Sequence, residues 1–339
     1  MKTRNLFARS GRILFTLVVL SVMIAASPLM AASQPIELKL GFATAATDTD
    51  PYNITSVKFA ELIAKYSNGK YKVNLYPNSQ LGNETDMIKN LTVGAMDLGV
   101  ITNAPVGSFI NAFMVLDLPF IFPSENVAHQ VLDGDVGKML LPKLEKLNIK
   151  GLAFSEGGFR HMINNVRPVR TPADTKGIKF RVMQTPIYIA MFQSLGSNAV
   201  PMGWGEVFTA VQQKVIDGLE IPIPVIYANK FYEVTEYLAL TDHLVGFMMI
   251  VMNNDTFKKL TPAQQKALDQ AAKEASRFND ELLKKINADI EKQLFAKMKV
   301  TKINNAPWRE AAKDVYKSFL KYDGFGDLYL SIRQVGEKY

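Results

Sequence analysis

Between Ile36 and Thr102 the hydrophobic period of the chain switches back and forth between two and near four, and this alternation limits the folds open to it. Ile36–Phe42 (IELKLGF) alternates apolar and polar residues, as a strand does. Ser56–Tyr66 places Val57, Phe59, Ala60, Leu62, Ile63 and Tyr66 on one helical stripe, and Asn68-Gly69 ends it. Tyr71–Tyr76 is a second strand, closed by Pro77. Asn83 caps a helix running through Val93, and Asp97–Thr102 is a third strand. A β-α-β-α-β run of this kind predicts a mainly parallel sheet with helices on its faces.

The pattern continues less regularly. Ser124 or Glu125 opens a helix ending near Gly134, and Gly151–Asn164 is a longer strand. Thr171-Pro172-Ala173-Asp174 is a helix-start signal, followed by a strand at Ile178–Val182. Helices are expected at Pro186–Leu195 and Glu206–Gln213; Val215–Ile221 holds the Asp217-Gly218 turn and a short strand, and further strands are expected at Tyr237–Thr241 and Phe247–Met252. From Thr261-Pro262 an apolar stripe runs through Leu268, Ala275, Leu282 and Ile290 toward Met298. A helix of about 37 residues spans roughly 55 Å, more than one small domain is wide. It forms either a coiled-coil seam or a brace across two domains, and the brace is favoured. No internal repeat stands out, and no Pro-, Gly- or Ser-rich linker divides the chain.

The N-terminus has its own logic. Lys2, Arg4, Arg9 and Arg12 precede an almost wholly apolar Ile13–Met30, and Ala31, Ala32 and Ser33 supply a cleavage site. A membrane anchor is the alternative, but Pro28 and the small residues favour a removed secretory signal, and so the periplasm. The formal charge is +7, four units of which lie in that leader, leaving +3 for the rest. A charge so small and dispersed argues against a nucleic-acid partner. With no cysteine the chain forms no disulfide and is no thiol enzyme. His129, His161 and His243 lack metal-ligand spacing, so no metal site is expected.

No nucleophile elbow, phosphate loop or zinc-protease motif occurs, and Gly151, Gly157 and Gly158 make no dinucleotide fingerprint. Binding chemistry is better represented. Arg181 lies inside the apolar strand Phe180-Arg181-Val182, where a guanidinium is costly unless an anion meets it. That anion is either a ligand carboxylate, held by two hydrogen bonds, or an acid elsewhere in the chain. Arg160 follows Gly157 and Gly158, which leave room beside the backbone; the alternative is an exposed strand-end arginine. Trp204, between Gly203 and Gly205, is suited to a pocket wall or to ordinary core packing. Glu220 is expected to cap backbone amides.

Several segments together resemble the substrate-binding subunits of tripartite ATP-independent periplasmic (TRAP) transporters, the DctP-like family. They are LYPNSQLGNETDMI (Leu75–Ile88), GAMDLGV (Gly94–Val100), LPFIF (Leu118–Phe122), KGIKFRV (Lys176–Val182), EVFTAVQQKVIDGLE (Glu206–Glu220) and KFYEVTEYLALTDH (Lys230–His243). The resemblance implies an α/β, periplasmic-binding-protein-like fold: two lobes around a cleft, braced by a long helix. The expected division is residues 34–157 with about 247–286 in lobe I, and 158–246 with about 287–339 in lobe II. It implies a non-catalytic, cofactor-free, monomeric carrier that delivers an organic acid to a membrane permease.

Carried over by residue, Arg181 matches the family's carboxylate-binding arginine and Arg160 a second arginine that assists it. Trp204 matches a cleft-lining aromatic, and Glu84, Thr102 and Ala43 match contacts from the opposite lobe. Ile221 stands where the family often has asparagine, replacing a polar contact by an apolar wall. With Trp204 in the cleft as well, this favours an aryl or branched keto or monocarboxylic acid over a sugar acid, whose hydroxyls each cost roughly 1–3 kcal/mol if left unpaired. A C4-dicarboxylate fits if Arg160 takes the second carboxylate. The rivals are an exported enzyme acting on an anion and a ligand sensor for a membrane receptor.

Overall fold

The computed structural model describes residues 34–337; the expected signal segment lies outside them. Nine strands form one sheet: β1 (Ile36–Gly41), β2 (Tyr71–Tyr76), β3 (Leu98–Thr102), β4 (Ile149–Asn164), β5 (Lys179–Val182), β6 (Asn198–Pro201), β7 (Gly218–Pro222), β8 (Tyr237–Asn253) and β9 (Lys299–Lys302). Their order is β2-β1-β3-β8-β4-β7-β5-β6, with β9 also on β8. The helices are α1 (Pro51–Tyr66), α2 (Glu84–Thr92), α3 (Asn103–Gly107), α4 (Glu125–Asp133), α5 (Asp135–Leu140), α6 (Pro186–Ser194), α7 (Trp204–Gln212), α8 (Ile223–Ala228), α9 (Asn254–Lys258), α10 (Pro262–Phe295), α11 (Ala306–Ala312) and α12 (Phe325–Gly336). Among the described residues no helix is long and apolar enough to cross a membrane.

The sheet is mixed rather than mainly parallel. Both wings are parallel, but its centre is the antiparallel pair of long strands β4 and β8. The two strands expected at Tyr237–Thr241 and Phe247–Met252 are one 17-residue strand. Asp242 takes a left-handed φ of 43° between them, yet β4 pairs along both halves and holds them in line. Helix α1 begins at Pro51, earlier than Ser56, because Asp50 accepts the N–H groups of Tyr52 and Asn53 as an N-cap.

The wings repeat one another. Each is a β-α-β-α-β-α unit whose first strand lies between the other two. Helices α2 and α7 have nine residues each, beginning at Glu84 and Trp204. Asp97 accepts the Lys39 N–H at 2.8 Å, and Asp217 accepts the Lys179 N–H at 2.8 Å. Thr102 and Pro222 are the N-caps of α3 and α8. The sequence hides this repeat because it resides in backbone geometry: between Glu84–Thr102 and Trp204–Pro222, Asp97/Asp217 and Ile101/Ile221 are the matching residues.

Alternate residues of β8 feed cores on the two sheet faces. Met248, Ile250 and Met252 join one, and Met249 and Val251 the other. Helix α10 packs on α1, β4 and α8, so the 34-residue helix touches both wings as a brace. The C-terminal segment divides: α11 packs on α6, while α12 packs on α4 and α5.

Candidate functional site

The ends of β1, β3, β5 and β7 and the starts of α2 and α7 surround a cavity of about 20 Å³. Ala43, Glu84, Thr102, Arg160, Arg181, Trp204 and Ile221 all line it. The seven residues singled out in the sequence therefore line one cavity. Thr44, Tyr52, Met183, Pro222 and Val225 also line it and were not anticipated. Tyr52 was within reach of sequence reasoning, since Asp50-Pro51 is a helix-start signal that places it in the first turn.

The two arginines differ sharply. Arg181 is 3% exposed, and its Nε and Nη2 donate to the Met202 carbonyl at 3.0 and 2.8 Å. Its guanidinium lies 5.8 Å from the centre of the Trp204 ring. Among the described residues no carboxylate lies within 4.0 Å of it. Desolvation, only partly offset by Glu220 and Glu84, lowers its pKa to about 10.

Arg160 is buried too, not an exposed strand-end residue. Its Nε and Nη2 grip the two Glu220 carboxylate oxygens at 2.5 and 2.8 Å, and Nη2 also donates to the Glu220 carbonyl at 3.0 Å. Burial alone would lower the pKa of this guanidinium, but the Glu220 charge outweighs it and raises the pKa. Conversely, burial would raise the Glu220 carboxyl, and the Arg160 charge holds it below the usual range. Glu220 thus clamps an arginine instead of capping amides. His243 stands behind it, with Nε2 3.6 Å from Glu220 Oε2 and Nδ1 2.7 Å from Thr241 Oγ1.

The facing wall is a hydrogen-bonded chain. Glu84 Oε1 accepts from Thr102 N at 2.7 Å and Thr102 Oγ1 at 2.6 Å. Tyr52 Oη meets Thr102 Oγ1 at 2.6 Å. Asn83 positions Glu84 by capping α2 through the Asp86 N–H. Burial raises the Glu84 pKa against the pull of its Thr102 bonds and the two arginines. Trp204, half-buried, packs on Phe231 with ring centres 5.4 Å apart, and Ile221 is buried. The site therefore presents one unpaired cation, one neutralised ion pair, a carboxyl–hydroxyl chain and an apolar side.

The family described as bacterial extracellular solute-binding protein, family 7, matches residues 42–322. The chain is 37% identical to the 2,3-diketo-L-gulonate-binding periplasmic protein YiaO of Escherichia coli K12, covering 73% of this chain and 74% of that protein. It is 34% identical to the C4-dicarboxylate-binding periplasmic protein DctP of Rhodobacter capsulatus, over 81% and 82% of the two. The solved sugar acid binding protein DctPAm of Advenella mimigardefordensis, in complex with galactonate, superposes with a TM-score of 0.84 at 33% identity. That match covers 90% of this chain and 99% of the other.

Proposed function

This chain belongs to the family 7 extracellular solute-binding proteins of TRAP transporters, and from that premise we propose that its cargo is a hydroxylated monocarboxylate anchored by Arg181. The protein is a periplasmic carrier that delivers a small organic acid anion to a TRAP permease and catalyses no reaction. The observation that carries the finer proposal is the inequality of the two arginines. Glu220 already neutralises Arg160, so the cavity offers a single unmatched cation, Arg181, to a single carboxylate. A second carboxylate on the ligand would face Glu84 and find no second unmatched cation to pair with.

Hydroxyl groups suit that wall better. Glu84 accepts hydrogen bonds, and Thr102 and Tyr52 both donate and accept them. Ile221, Val225, Met183 and Trp204 would cover the carbon chain. This departs from the apolar-bodied keto acid favoured by Ile221 and Trp204, because Glu84, Thr102 and Tyr52 line the cavity with polar groups that such a ligand engages poorly. The galactonate complex and the diketogulonate-binding relative support the proposal; the C4-dicarboxylate-binding relative favours the alternative.

Lobe closure is part of the proposal. The suggested division at residues 157 and 247 falls where the β4–β8 register shifts, between Glu156 and Gly158. A cavity of about 20 Å³ holds little more than a water molecule, so an organic acid requires the lobes to part. Calorimetric titration with galactonate, galacturonate, succinate, malate and 2-oxoisovalerate tests the cargo. The hydroxylated monocarboxylates should bind at least tenfold more tightly than the rest. Tightest binding of succinate or 2-oxoisovalerate would overturn the assignment.

A further inference from the structure

One side chain crosses from the second wing to the first. Asn229 ends α8, where its backbone N–H bonds the Val225 carbonyl at 3.1 Å. Its side-chain Oδ1 accepts the Ala45 N–H at 3.1 Å, and Nδ2 donates to Asp50 Oδ2 at 3.0 Å. Nδ2 also donates to the Val225 carbonyl at 3.1 Å, which pins the side chain to its own wing. Both amide hydrogens and the amide oxygen are therefore engaged.

The group it meets is a buried charge. Asp50 is fully buried, and its two oxygens are used differently. Oδ1 accepts from Thr44 Oγ1 at 2.7 Å, Tyr52 N at 2.9 Å and Asn53 N at 3.3 Å, all within the first wing. Among the described residues Oδ2 has Asn229 as its one donor. A carboxylate oxygen held away from water needs a donor, and a bond to a charged group is stronger than one between neutral groups. Thr44 and Val225 line the cargo cavity, whereas Asn229 does not. Asn229 thus fastens two sides of the cavity to each other from outside it. Parting of the wings would break only the two crossing bonds. Asp50 Oδ1 would keep its three donors and Asn229 its bond to Val225, so the contact can open without unfolding either wing.

We propose that Asn229 is a latch: a positioning residue that holds the cleft closed and sets the lifetime of the closed carrier without touching the cargo. The proposal rests on the closure of the wings inferred above and is independent of which acid is bound. It assigns the affinity-determining role to a residue on the Asp50 side of the cleft, apart from the Arg181 anchor.

The test uses ligand-free protein carrying a cysteine pair across the wings, Asn83→Cys with Gly203→Cys. A Cβ on Gly203 would lie 3.3 Å from that of Asn83, so the pair can bond only when the wings are closed. The rate of cross-linking at fixed pH and fixed oxidised glutathione then reports the closed fraction. Asn229→Ala in that background should slow cross-linking at least fivefold, as expected for losing two crossing hydrogen bonds. Asn229→Asp, which sets a like charge against Asp50, should slow it at least as much. A merely structural Asn229 would lower the unfolding free energy and leave the rate unchanged. Far-UV circular dichroism checks the fold, and Asn229→Ser gives the same reading should Asn229→Ala not fold. Small-angle X-ray scattering of the ligand-free wild type separates the latch from closure itself. If the profile is more extended than the closed structure, the wings part, and an unchanged cross-linking rate overturns the latch alone. A profile matching the closed structure would overturn closure and the latch with it.

Discussion

At the scale of the residue, two arginines on the strands that flank β7 have opposite consequences. Arg181 has no carboxylate partner, so Arg181→Ala should weaken cargo binding at least 100-fold, corresponding to about 3 kcal/mol, with little loss of stability. Arg160→Ala leaves Glu220 buried and unpaired and should destabilise the fold by about 3–5 kcal/mol. Calorimetry and urea denaturation on the two variants separate these outcomes; an unfolded Arg181→Ala protein would remove the distinction. A third buried charge gives a pH prediction. Burial pushes the Asp117 carboxyl up to about 8, against its hydrogen bond from Asn103. Between about pH 4 and 8 the native state holds a proton that the unfolded chain has lost, so stability falls as pH rises through that window. Asp117→Asn should flatten that decline, read as unfolding free energy at pH 5 and pH 8. The sequence revealed Arg181 as an anomaly, a cation inside an apolar strand. It gave no sign that Arg160 meets Glu220, because 60 residues separate the partners and only strand pairing joins them.

At the scale of the element, legibility followed length and capping. Helices α2, α4 and α10 begin within a residue of their sequence signals because Asn83, Ser124 and Thr261 each accept a hydrogen bond from the first turn. Short elements such as β6, β9, α3 and α8 escaped, being four to six residues long and held by their neighbours rather than by periodicity. The wing repeat offers its own test. Gly94 and Lys214 occupy the same turn, with φ of 73° and 60°. A Cβ on Gly94 would come no closer than 3.7 Å to Asn253, so Gly94→Ala measures conformational strain alone. It should cost about 1–2 kcal/mol in urea denaturation. A neutral result would mean that the turn relaxes.

At the scale of the whole molecule, the question is how the wings move. Asn83 and Gly203 face each other as the N-caps of α2 and α7, and a Cβ on Gly203 would lie 3.3 Å from that of Asn83. The chain has no cysteine, so Asn83→Cys with Gly203→Cys introduces a single pair close to disulfide spacing. The oxidised protein should fail to take up cargo, and reduction should restore uptake. Equal uptake in both states would show that access does not require the wings to part. The sequence alone determined the alternating α/β class and the family and pointed to the seven cleft candidates, because each rests on local periodicity or on a contiguous motif. Tertiary structure decided the rest: the mixed centre of the sheet, the backbone repeat, the neutralisation of Arg160 by Glu220, and the meeting of His129, Glu156 and Asp280. Each of these depends on strands and helices distant in the chain becoming neighbours, and the charge state of a buried group is set by those neighbours rather than by its own sequence context.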